Sequence, residues 1–309
     1  VLLLAAVPAL LLALVFWSVV VFALTGKPPE PLKAEFGMVG SAAKFFLISG
    51  SLLPVVPFAV WAVSRRPMGT AFSVLGRVRW GWLGVCMIPA GGYFAFTYGV
   101  ILMVNALVKD EPFTVRWDGG KEDWASLAMM MLTASAYVIL MELLRGWVIQ
   151  AVGAYTLQRA DGGRRDGFAG VAARVLGSPW PGIAATCLMS LAMLGSGDPA
   201  EMAGVVFMAV VYGWLMVKTG GVEAMIALQT VSFTGIMVVV AVTGRFGIAG
   251  EDEDAWYRML PNLTGLVLFT VAVLCLSRLM NVATVTPPRA APPYGTYQAG
   301  GLGFPAPKT

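Results

Sequence analysis

Eight apolar stretches separated by short polar ones decide what this chain can fold into. They lie near 1 to 25, 42 to 63, 81 to 108, 124 to 144, 181 to 196, 202 to 217, 222 to 243 and 260 to 281. A bilayer core about 30 Å thick is crossed by roughly 20 apolar residues in a helix. Lipid offers no water to an unpaired peptide group, so helix is the conformation such stretches take. Only 12% of the 309 residues are charged, against roughly a quarter in a soluble domain. The expected fold is therefore all-α, a polytopic membrane helix bundle of about eight transmembrane helices over residues 1–282. The remainder, 283–309, is rich in Pro and Gly and cannot bury a core.

The chain opens at Val1 inside an apolar run, which reads as a natural N-terminus lost or processed. Residues 1 to 25 are too long for the apolar region of a signal peptide, and no small-residue cleavage site follows. The fourth stretch is expected to continue as a helix beyond the membrane through GWVIQAVGAYTLQRA, ending in a loop before Pro179 and Pro181.

Lys and Arg on alternate loops set the orientation. With the N-terminus inside, 13 of the 21 basic residues fall on the cytoplasmic side, among them Arg77, Arg79, Arg145, Lys218 and Arg278. Only four of the 17 acidic residues do, Glu142, Asp161, Asp166 and Glu223. Both termini are expected in the cytoplasm of a bacterial cell, with the acidic run GEDEDAW at 250 to 256 outside.

Composition also excludes functions. The chain has no histidine, which removes the commonest general base and the commonest metal ligand. Cys86, Cys187 and Cys275 sit in separate apolar stretches, without a CxxC spacing, and read as small buried hydrophobes. No metal or cofactor is expected. Basic residues are spread between apolar blocks rather than clustered, which argues against a nucleic-acid partner.

The feature with most chemical content is ILMELLRGW. Glu142 and Arg145 are three apart on one helical face and can pair. A charge in a membrane helix is costly and is either functional or neutralised. The two readings are a carboxylate facing a polar cavity and a structural ion pair near the inner end of the fourth span.

MELLRGWVIQA is similar to the first motif of the CAAX protease and bacteriocin-processing (CPBP) family of intramembrane proteases, two adjacent glutamates followed by an arginine and glycine. SRRPMGTAFSVLGRVRWGWL at 64 to 83 resembles the segment after the second helix of actinobacterial members. SPWPGIAATCLMSLAMLGSG and VVYGWLMVKTGGVEAMIALQTVSF resemble the later helices. The resemblance covers most of the chain and implies the eight-helix architecture of that family.

What it implies about chemistry is loss. In active members one glutamate and a histidine activate water, while a second histidine and an asparagine steady the intermediate. Here the glutamate pair is reduced to Glu142, and counting back from Arg145 puts Leu140 and Met141 where the acids belong. MSLAM places Met189 and Met193 at the FxxxH motif, and QTVSF places Gln229 and Phe233 at the HxxxN motif. Met and Phe cannot carry a proton, and Gln has no titratable nitrogen. The resemblance implies a pseudoprotease: an accessory or scaffolding subunit held by membrane lipids and membrane-protein partners. The alternatives are an unconventional protease using Glu142, with Arg145 and Gln229 as donors, and a protein that sequesters a lipid or peptide.

Other features are weaker. Arg77, Arg79, Trp80 and Trp82 in GRVRWGW suit an inner interface facing anionic head groups. A transporter would need repeated broken helices. No repeat is evident, although Pro54 and Pro57 are expected to break the second span, and Pro89 with Gly91 and Gly92 the third.

Overall fold

A computed structural model of the chain describes residues 53–64, 68–108, 121–160, 175, 178–193, 198–243 and 255–284. The expected span over 1 to 25, half of that over 42 to 63, the acidic residues 251 to 254 and the tail after 284 lie outside these residues. Those described are helical: α1 (Val55–Ser64), a 3-10 turn (Met68–Ala71), α2 (Trp80–Val108), α3 (Lys121–Ala160), α4 (Trp180–Met193), α5 (Pro199–Thr219), α6 (Glu223–Thr243) and α7 (Ala255–Leu279).

Four of these are long and apolar enough to cross a bilayer, over Trp80–Leu107, Met131–Val152, Pro199–Thr219 and Met259–Leu279. Shorter apolar helices cover Trp180–Ala192 and Glu223–Val239. At 40 residues, α3 is about 60 Å long at 1.5 Å per residue. It outruns a bilayer and continues through Ala160, as its sequence suggests.

At the centre lies α6, packed between α2 and α3. Every residue from Val222 to Leu228 is buried, so this helix has no solvent-facing side at its start and belongs inside a bundle. Beside α2 lies α7, while α4 packs against both α3 and α5. Glycines allow the close approaches: Gly213 of α5 meets Ile183 of α4, and Gly182 of α4 meets the Ile149 backbone of α3. Membrane helices gain contact this way, since lipid tails are as apolar as leucine. On the outside, α2 exposes Ile88, Met103 and Leu107, and α7 exposes Leu260, Leu268, Val271 and Leu279. Apolar belts of this kind suit hydrocarbon rather than water.

Pro89 does not break α2, contrary to expectation. It removes one backbone hydrogen bond, a loss that packed membrane helices tolerate. Pro57 falls in the first turn of α1, where N–H groups have no intrahelical acceptor. Cys275 also departs from expectation. It is exposed on α7, whereas Cys86 is fully buried and Cys187 half-buried. The outward side of α7 faces no other described helix at that position, so a small apolar residue there covers no core.

The start of α2, the end of α5, the start of α6 and the chain after α7 gather at one end of the bundle. Ser73 bridges to Gly221, Arg79 reaches the carbonyls of Thr219 and Ala283, and Gln150 of α3 donates to the Thr70 carbonyl at 3.3 Å. Arg77, Arg79, Lys218 and Arg278 all belong to this end.

Candidate functional site

Glu142 and Arg145 do pair. They are one helical turn apart on the inward face of α3, with Nη1 of Arg145 donating to Oε1 of Glu142. Both are buried, at 1% and 8% exposure. The guanidinium also lies 5.2 Å from the Tyr212 ring of α5, within reach for a cation–π contact. Tyr137 and Cys187 are within its electrostatic range. The pair thus stands where α3, α4 and α5 meet.

Helix register shows what surrounds it. Gly146 abuts Val222, and the Tyr137 and Phe233 rings lie 6.3 Å apart. The helices α3 and α6 therefore run antiparallel, with Gln229 level with residues 139 to 141. Those residues are Ile139, Leu140 and Met141, none of them polar. Glu142 lies nearer the basic end. On α4, the contact of Gly182 with Ile149, with Cys187 in the electrostatic range of Arg145, puts Met189 and Ser190 level with Glu142. Met193 is then level with Ile139; its side chain lies outside the described residues.

Among the described residues, Oε2 of Glu142, Nε of Arg145, Oγ of Ser190 and Oγ1 of Thr230 are buried without a hydrogen bond. Helices α3, α4 and α6 contribute these atoms, and a buried polar group left unmet costs about 1–3 kcal/mol. The pair holds its two charges in place, with Oε2 of Glu142 and Nε of Arg145 each left able to take one further hydrogen bond. Among the described residues no three His, Cys, Asp or Glu side chains converge to hold a metal.

A second buried pair escaped the sequence reading. Arg79 precedes α2 and Glu223 opens α6, and the two meet face to face, Nε to Oε1 at 2.8 Å and Nη2 to Oε2 at 2.7 Å. The Arg79 backbone N–H donates to the same carboxylate at 3.2 Å. Opposite charges at the same expected membrane level, in stretches otherwise apolar, were the available signal.

This pair divides the set expected at the lipid interface. Arg77 and Trp80 are exposed, as head-group contact requires. Arg79 is spent on Glu223 and two carbonyls, and Trp82 is 4% exposed, so neither side chain can reach a head group. The cause is helical spacing: α2 starts at Trp80, and Arg79 and Trp82, three residues apart, fall on the side that packs into the bundle while Trp80 falls outside.

No known family model, curated protein or solved structure matches the chain.

Proposed function

We propose that the chain is a non-catalytic integral membrane protein, similar in plan to CPBP intramembrane proteases, that serves as an accessory or scaffolding subunit of a larger membrane assembly. Eight spans, with the basic end and both termini in the cytoplasm of a bacterial cell, belong to this reading. The observation that supports it most is the fate of the buried acids. Glu142 is paired with Arg145 one turn along its own helix, and Glu223 with Arg79 across α2 and α6, so both buried carboxylates are already neutralised. The residues level with Gln229 are apolar, and no group there can exchange a proton at neutral pH.

Two measurements test it. Purification in mild detergent through a tag on the C-terminal tail, followed by mass spectrometry, should recover a membrane-protein partner in fixed ratio; a lone monomer would sink the subunit reading. Purified protein should leave lipidated peptides uncut. Cleavage abolished by Glu142→Gln would instead establish the unconventional protease. A sequestering role is favoured by one observation, that Oε2 of Glu142 and Nε of Arg145 are buried without a hydrogen bond. It predicts a lipid or peptide copurifying with the monomer.

A further inference from the structure

At the basic end, the last turns of α5 and α7 border an open cavity of about 550 Å³ lined by Trp214, Lys218, Ser277, Arg278 and Asn281. Its volume lies within the range of ligand pockets, roughly 300–1,000 Å³.

A cation in the last turn of a helix ordinarily offsets the negative end of the helix dipole. Here that role is already filled. The Met216 carbonyl accepts from Gly220 and Gly221 N–H groups, and the Thr219 carbonyl accepts from Arg79. After α7, Met280, Asn281 and Val282 N–H groups bond back to Leu276, Arg278 and Ser277 carbonyls. Two full positive charges therefore face one cavity, against two helix ends each worth roughly half a negative charge and already bonded. Among the described residues neither Lys218 nor Arg278 has a carboxylate partner, in contrast to Arg79 and Arg145.

Geometry steadies the donors. Lys218 Nζ sits 5.8 Å from the Trp214 ring, which favours the ammonium over the ring face and puts an indole where interfaces collect them. Asn281 takes a left-handed conformation, φ 50°, one that asparagine tolerates, and lines the same cavity. An ammonium, a guanidinium and an amide together offer charge-assisted hydrogen bonds to a tetrahedral anion. Basic pockets between membrane helices on the cytoplasmic side bind phosphate head groups by this chemistry.

We infer that this cavity binds the phosphate of an anionic phospholipid head group through Lys218 and Arg278. The inference depends on membrane residence and is independent of the pseudoprotease reading.

The full chain, delipidated in nonionic detergent, is titrated with phosphatidylglycerol and, separately, with phosphatidylcholine of the same acyl chains, and bound lipid is counted by native mass spectrometry. Phosphatidylglycerol should bind preferentially. The exposed pair change Lys218→Gln/Arg278→Gln should weaken it roughly tenfold or more, as loss of charge-assisted bonds implies, and each single change should weaken it less. Arg77→Gln, an exposed interfacial arginine outside the cavity at the same end, should weaken binding distinctly less than the double variant does. Equal loss in Arg77→Gln would show diffuse attraction and overturn the site, as would unchanged binding in the double variant. Inorganic phosphate is offered in parallel. If it binds the parent but not the double variant while the lipid binds neither, the occupant is a soluble phosphate and the lipid assignment falls.

Discussion

Arg79 and Glu223, 144 residues apart in the chain, form a two-pronged ion pair that fastens the start of α2 to the start of α6. The remaining Nη1 of Arg79 donates to the carbonyls of Thr219 at 2.9 Å and Ala283 at 3.0 Å. One guanidinium thereby joins α2, the end of α5, α6 and the segment after α7. Planar donors in a fixed fork suit this task, which a lysine could not fill.

Arg79→Ala strands a fully buried carboxylate, and losing one member of such a pair costs about 3–5 kcal/mol. Unfolding in detergent, followed by helix content, should show a loss of that size. Arg79→Met/Glu223→Leu should recover most of it, because an apolar pair leaves no charge unmet.

Gly221 touches this pair closely. A Cβ there would overlap Glu223 Oε2, approach Arg79 Nη2 at 2.5 Å and meet the Phe72 carbonyl at 2.9 Å. Gly221→Ala should destabilise by about 1–3 kcal/mol or more, the usual range for overpacking. Gly91 of α2 faces open space, and Gly91→Ala should be neutral or stabilising by up to about 1 kcal/mol. Thermal unfolding of the two variants side by side checks the contrast.

The Glu142–Arg145 pair is tested by a double-mutant cycle. Arg145→Met should cost about 3–5 kcal/mol, and Glu142→Leu/Arg145→Met distinctly less than the sum of the single changes. Simple additivity would mean that the two side chains do not interact.

Cys86 is fully buried within the electrostatic range of Arg79 and Glu223. In native protein it should resist a maleimide and react only on unfolding. Arg79→Ala should raise its modification rate without denaturant, read by mass spectrometry of the intact protein with Cys187 and Cys275 changed to serine. An unchanged rate would show that the Arg79 hub does not keep this region closed.

How far the sequence reached depends on the range of each interaction. Its apolar stretch at 81 to 108 became α2, Trp80–Val108, and that at 222 to 243 became α6, Glu223–Thr243. The stretch at 202 to 217 is shorter than α5, which begins at Pro199. Asp198 accepts from the Ala200 N–H at 3.0 Å, an N-cap followed by proline that is legible in GDPAE and that apolar residues alone do not mark.

The sequence by itself determined that the described stretches are apolar helices and that Glu142 can meet Arg145. Both follow from spacing along one helix, which 3.6 residues per turn fixes without reference to the rest of the chain. Only the tertiary structure decided that Arg79 belongs to Glu223 while Lys218 and Arg278 face a shared cavity. All four read alike as charges at the ends of apolar runs. Their fates separate because α2 and α6 pack in direct contact, enclosing one pair, while the ends of α5 and α7 leave a cavity between them.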